Sequence, residues 1–250
     1  MNVQEINRQS QAIVLTGASS DIGRAVAERF AKQGTVFFLL GRNKKAVERT
    51  KSLIESKGSK AKAILADFRK QKDITRAIEE IKQHTKQITT IIHIAGLWHG
   101  EDKVYAQIPF HKFNKQIIFD TYNVCLVAPT LLIHGLLPLM KTDSTIMILS
   151  GTFEDGAKGW LPYYVAKRAL EDLTVGLAQE LADKQITVFG ISPSDVATTP
   201  YKKYFPQYAK SAMSPESLAK QIETLFSKKP AQGSIWVITE GKQAVSQFHA

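Results

Sequence analysis

Cysteine is almost absent from this 250-residue chain: Cys125 stands alone. A lone cysteine excludes an internal disulfide and any metal site built from several thiolates, and no metal is expected. The N-terminal stretch MNVQEINRQSQ has no apolar export segment, so the expected setting is reducing and cytoplasmic. Repeats, low-complexity tracts and interdomain linkers are also missing. The longest apolar run, Val124 to Met140, contains His134 and two prolines and falls short of the roughly 20 residues of a membrane span. It reads as a buried helix, and no membrane partner is expected.

Acidic residues are the scarcer charge, with 23 Asp+Glu against 33 Lys+Arg and a formal net charge of +10. Most of that excess is local: residues 41–90 hold 14 Lys+Arg and 6 Asp+Glu, a net +8. Such a bias suits an anionic partner, although most of these lysines read as solvated helix faces. No nucleic-acid-binding module accompanies the charge, so a nucleic acid is not the expected partner. Hydrophobic residues make up 44% of the chain, enough for a full core without metal or disulfide support, and residues 1–250 read as one domain.

Strand-length apolar runs recur at AIVLT (12–16), TVFFLL (35–40), KAILA (62–66), TTIIHIA (89–95), STIMILS (144–150), ITVFGIS (186–192) and SIWVIT (234–239). Helical periodicity falls between them, at about 21–33, 44–57, 72–84, 113–140, 162–183 and 215–227. Alternating strands and helices pair in parallel, and strands apolar on both faces need helices on both sides. The expected fold is a doubly wound α/β (Rossmann) domain with a seven-stranded parallel sheet. The least regular stretches, 96–112, 151–161 and 193–213, each follow a strand C-terminus, where such sheets bind ligands.

The first strand runs directly into Thr16-Gly17-Ala18-Ser19-Ser20-Asp21-Ile22-Gly23, and a helix follows at once. Gly17 permits a tight turn, and Gly23 lets helix pack against strand. Backbone N–H groups over Ser19, Ser20, Asp21 and Ile22 can hold a pyrophosphate at the helix N-terminus. An ordinary strand-to-helix turn with incidental glycines is the alternative. After the second strand the chain reads Leu40-Gly41-Arg42-Asn43-Lys44-Lys45, with no carboxylate to bond ribose hydroxyls. Arg42 can instead pair with a 2′-phosphate, which favours NADP(H) over NAD(H). Its alternative is a solvated surface arginine.

Tyr163-Tyr164-Val165-Ala166-Lys167 opens an amphipathic helix, and Ser150 lies thirteen residues before Tyr163 at a strand end. Tyr163 and Lys167, at i and i+4, share a helix face. An ammonium beside a phenol favours the phenolate, so Lys167 is expected to lower the Tyr163 pKa. A serine hydroxyl at the strand tip can orient a substrate oxygen. Tyr164 and Arg168 repeat the spacing without a serine thirteen residues earlier.

The glycine turn resembles the TGxxxGxG signature of short-chain dehydrogenases/reductases, with Asp21 at the middle glycine position. An aspartate at a helix start can cap free N–H groups, its charge then facing away from the phosphates. The resemblance covers about residues 10 to 200. It implies Tyr163 as general acid/base, Lys167 as pKa modulator and ribose ligand, and Ser150 as substrate orienter. Asp67 matches the family's acidic residue near the adenine, with a helix N-cap as its structural alternative. Ile191-Ser192-Pro193-Ser194-Asp195-Val196-Ala197-Thr198 is similar to the PG-containing loop, which implies that Pro193, Val196 and Thr198 approach the nicotinamide. His93-Ile94-Ala95-Gly96 stands where the family has NNAG, with Ala95 and Gly96 kept for close backbone approach and His93 read as structural.

Registering Cys125 through Pro138 on the family places Cys125 where a catalytic asparagine usually sits. Asn123 is two residues away, a rotation of about 200° on a helix, and is not expected to substitute. Cys125 itself reads as a packed thiol rather than a nucleophile. Aromatics crowd the ligand-side loops: Trp98, Tyr105, Phe110, Phe153, Trp160, Tyr201, Tyr204, Phe205 and Tyr208. Turned inward, they suit a hydrophobic carbonyl or alcohol substrate of the 3-oxoacyl or ketone type; packing of a lid or subunit contact is the alternative. The resemblance also implies a homodimer or homotetramer. A catalytically weak or inactive cofactor-binding regulatory or scaffold protein on the same fold is the competing expectation.

Overall fold

The computed structural model describes residues 11–153 and 156–249. Its sheet runs β3 (Lys60–Leu65), β2 (Thr35–Gly41), β1 (Gln11–Thr16), β4 (Ile88–His93), β5 (Met140–Leu149), β6 (Thr187–Pro193), β7 (Ile235–Ile238) and β8 (Val245–Ser246). The first seven are parallel, in register Leu15↔Leu39, Thr16↔His93 and Ile148↔Gly190, while β8 pairs antiparallel with β7. The expected seven-stranded parallel sheet is thus eight-stranded. The extra strand has two exposed residues and no apolar run to announce it.

Strand order reverses between β1 and β4, the topological switch point where open α/β sheets bind ligands. β2 (TVFFLLG) is buried along its length because helices cover both faces. Alternate residues divide between two cores: Phe38 and Leu40 face one side, Phe37 and Leu39 the other. Burying Phe37 and Phe38 contributes about 1.5–3 kcal/mol each.

The helices are α1 (Asp21–Phe30), α2 (Lys44–Glu55), α3 (Gln71–His84), α4 (Lys115–Tyr122), α5 (Ala128–Leu136), α6 (Leu161–Glu180), α7 (Thr199–Tyr204) and α8 (Pro215–Lys228). Side-chain caps set several starts: Ser20, Asn43, Asn114, Thr198 and Ser214 each accept a first-turn N–H. The helix expected over 113–140 is broken by a π turn at Asn123–Val127, with Cys125 buried at its centre. The run Lys115–Leu139 reaches spanning length, with mean hydropathy 1.5. Leu132, Ile133 and Leu136 on it are fully packed against the sheet.

Candidate active site

The glycine turn joins β1 to α1 at the switch point. Gly17 has φ +71°, and a Cβ there would lie 2.9 Å from Ala95 N. A Cβ on Gly23 would meet Gly17 O at 2.1 Å, so the helix packs on the turn only because that atom is missing. Ser20 Oγ donates to Gly17 O (2.8 Å) and accepts Gly23 N–H (3.0 Å). Ile22 packs into the core beneath. Asp21 does not cap its own helix, since Ser20 does; its carboxylate reaches across to Thr199 N–H (2.5 Å) and Arg24 (2.8 Å).

Thr16 Oγ1 accepts the N–H groups of Ile94 and Ala95 at 3.1 and 3.2 Å, tying the turn to the end of β4. With both lone pairs used, its proton goes to His93 Nδ1 at 2.8 Å. His93 is buried, and burial, reinforced by the Lys167 charge, pulls its pKa down to about 3, so it is neutral at physiological pH.

Ser19 borders the end of β2, where a Cβ on Gly41 would lie 3.1 Å from Ser19 Oγ, and Arg42 follows, exposed to solvent. Asp67 is not an N-cap: α3 begins at Gln71 with no side-chain cap. Its carboxylate binds Arg69 through contacts of 2.6 and 2.9 Å. That hydrogen bonding outweighs burial and holds the Asp67 carboxyl below its ordinary value. Arg69 also lies 4.0 Å from Asp120. The two-residue spacing in Asp67-Phe68-Arg69 was the available signal for this pair.

Tyr163 and Lys167 enter the site from the first turns of α6. A Cβ built on Gly96 would sit 3.9 Å from Tyr163 Oη and 3.6 Å from Lys167 Nζ, so both groups converge beside the β4 loop at Gly96. Lys167 is buried, donates to Leu149 O at 2.8 Å and lies 5.5 Å from the Tyr163 ring centroid. Burial lowers its pKa, partly opposed by Cys125 and Glu171. The expectation that Lys167 depresses the Tyr163 pKa is corrected: burial, with Cys125, pushes the phenol upward. The lysine's hydrogen bond goes to a carbonyl rather than to the phenol, which leaves desolvation dominant.

Ser150 is buried, and Ser150 Oγ donates to Glu171 Oε1 at 2.8 Å, with Ile191 O at 3.3 Å. Among the described residues no hydrogen bond joins it to Tyr163. Glu171 is itself fully buried and accepts His249 N–H at 2.7 Å. Tyr163, Lys167 and Glu171 follow at i, i+4 and i+8, the helical signal that marks Glu171 as part of the same face.

Cys125 accepts Leu97 N–H at 3.3 Å, and burial raises its thiol pKa, as suits a packed rather than a reactive cysteine. Asn123 points elsewhere, with Nδ2 3.4 Å from Arg69 O. Pro193 ends β6, and its carbonyl accepts Thr152 N–H at 3.1 Å. Val196 bridges to Met213, and Thr198 caps α7.

Three expected loops meet through aromatic rings. Trp98 stacks on Phe205 at 6.2 Å, Phe205 lies 6.1 Å from Trp160, and Trp160 lies 6.2 Å from Tyr163. Phe153 adds a contact at 5.9 Å from Tyr163. Phe110 and Tyr208, by contrast, are over half exposed and do not turn inward. Residues 154 and 155 of the 151–161 loop lie outside the described residues.

Sheet order, glycine turn and the Tyr163–Lys167 pair define a dinucleotide-binding α/β oxidoreductase. Residues 11–209 match the family model for short chain dehydrogenase, and the chain belongs to that family of NAD(P)-using enzymes acting on CH–OH or C=O groups. It is 29% identical over 199 residues to an uncharacterized oxidoreductase of Staphylococcus saprophyticus, covering 77% of this chain and 81% of that one. An inactive hydroxysteroid dehydrogenase-like protein 1 of Pongo abelii is 27% identical over 198 residues, 78% of this chain and 58% of its own length. A short chain dehydrogenase of Burkholderia cenocepacia, solved in complex with NADP, shares the fold with TM-score 0.82 at 20% identity, over 94% of this chain and 99% of that one.

Proposed function

We propose that this chain is an NADP(H)-dependent reductase of hydrophobic carbonyl compounds, 3-oxoacyl or ketone in type, or the reverse alcohol dehydrogenase. The observation that carries this reading is the convergence of Tyr163 Oη and Lys167 Nζ on the space beside Gly96. The residues suit a dinucleotide: the turn leaves no room for a Cβ at Gly17 or Gly23, so only bare backbone faces the pyrophosphate there. When bound, the nicotinamide supplies or accepts the hydride. Tyr163 gives its phenolic proton to the substrate oxygen, and Lys167, beside it, orients a ribose hydroxyl. Ser150 orients the substrate oxygen in this reading, which requires its proton to leave Glu171. Trp160 and Phe153 flank the Tyr163 ring, with Phe205 and Trp98 packed beyond Trp160, an apolar wall that suits a hydrophobic substrate.

Arg42 supports NADP(H) over NAD(H), because no carboxylate follows β2 and Asp67 is committed to Arg69. A homodimer or homotetramer in the cytoplasm completes the reading, supported by exposed Phe119, Val127 and Val165 for the assembly and by the lone unpaired Cys125 for the compartment. A second reading, a catalytically weak or silent dinucleotide-binding regulator, is favoured by Cys125 at the asparagine position, Asp21 in the turn and Ser150 held by Glu171. Oxidation of NADPH against a broad panel of ketones and acyl thioesters decides between them. Carbonyl-dependent absorbance loss supports the enzyme, and none across the panel supports the regulator.

A further inference from the structure

Asp21 is the first residue of α1, at the helix end where a glycine turn presents N–H groups to a pyrophosphate. Its carboxylate is not needed for capping, because Ser20 Oγ already accepts Gly23 N–H. Instead Oδ2 accepts Thr199 N–H at 2.5 Å and Oδ1 accepts Arg24 Nη2 at 2.8 Å. Thr198 caps α7 through Tyr201 N–H at 3.2 Å, which leaves Thr199 N–H for Asp21. The contact joins residues 178 positions apart and ties the glycine turn to α7. That helix carries Tyr201 and Tyr204 and leads into Phe205 of the aromatic wall. Burial raises the Asp21 pKa, but the hydrogen bonds from Thr199 and Arg24 outweigh it and keep the group ionised at neutral pH.

Resting on the dinucleotide-binding reading above, we propose that the Asp21 carboxylate is an internal competitor for the cofactor pyrophosphate, latching α7 to the glycine turn until the dinucleotide displaces it. The carboxylate takes its bonds from Thr199 N–H and Arg24 rather than from the turn, and a pyrophosphate held on the turn's N–H groups brings a second anion to the same helix end, where the two repel. Cofactor entry therefore releases α7 and, with it, one side of the substrate pocket.

The test uses the full chain as wild type, Asp21→Asn and Asp21→Gly. NADPH and NADH affinities are titrated by tryptophan fluorescence, and hydrogen exchange is followed over 199–204. Asn keeps the shape and removes the charge; Gly removes the contact. Both variants are expected to bind NADPH at least about tenfold more tightly than wild type. Amides of 199–204 should exchange faster in Asp21→Gly without ligand, and faster in wild type once NADPH is added. Measurable binding that is equal or weaker in both variants refutes the competition alone, and unchanged exchange in Asp21→Gly refutes the latch. Failure of all three proteins to bind either dinucleotide refutes the cofactor reading, and the competition with it.

Discussion

Gly96→Ala separates the chemistry of the site from the stability of the fold. The added methyl would lie 3.6 Å from Lys167 Nζ, 3.9 Å from Lys167 Cε and 3.9 Å from Tyr163 Oη, all ordinary van der Waals distances. Nothing in the folded protein has to move. Gly96 is not among the positive-φ glycines, so alanine fits its backbone, and restricting the unfolded chain should stabilise the protein by about 0.4–1 kcal/mol. The same methyl would stand between the backbone at Gly96 and the Tyr163 and Lys167 head groups, where the proposed reaction takes place. A displacement of about 1 Å at such a point costs roughly 100-fold in rate. Urea unfolding monitored by circular dichroism, paired with NADPH-dependent turnover, reads both quantities. We expect unchanged or higher stability with kcat/KM down by about two orders of magnitude. Activity within about twofold of wild type would show that the space beside Gly96 is not where reaction occurs.

Gly23→Ala should behave oppositely, since its methyl would approach Gly17 O to 2.1 Å; a loss of about 3 kcal/mol in urea unfolding is expected, and a loss below about 1 refutes the turn packing. Arg42→Ala should weaken NADPH binding about tenfold or more while leaving NADH binding unchanged, and equal effects on both in calorimetric titration would reject the 2′-phosphate contact. Glu171→Ala should destabilise the protein by about 3–5 kcal/mol by stripping a carboxylate from Ser150 Oγ and His249 N, whereas Glu171→Gln should cost less; equal small losses in both would rule out a buried anchoring role. For His93, the folded pKa of about 3 lies below the unfolded value of 6.5, so its contribution is complete above pH 6.5 and is lost as pH falls. Between pH 6.5 and 5 the wild type should lose up to about 1.4 kcal/mol per pH unit more than His93→Asn, and parallel curves would contradict a buried neutral imidazole.

Alternating apolar strands and amphipathic helices made the sheet and its two helical layers legible, because burial on both faces leaves a continuous apolar run such as TVFFLLG. β8 carries no such run, and its pairing depends on tertiary placement beside β7. The π turn around Cys125 was hidden because an inserted residue in an apolar helix leaves composition unchanged. At the site, i,i+4 spacing correctly put Tyr163 and Lys167 on one face. Thirteen residues of chain said nothing of where Ser150 points; Ile148, two positions earlier on the strand, faces the same core as Leu170 of α6, and Ser150 follows it to Glu171. The aspartate–threonine contact joins residues 178 apart, beyond the reach of any local pattern.

Removal of one oxygen addresses the proton donor directly. Tyr163→Phe should retain NADPH affinity within about threefold of wild type while carbonyl-dependent NADPH oxidation falls by about 10²–10⁴-fold. Turnover within tenfold of wild type, at unchanged cofactor affinity, would contradict the assignment of Tyr163 as the group that protonates the substrate.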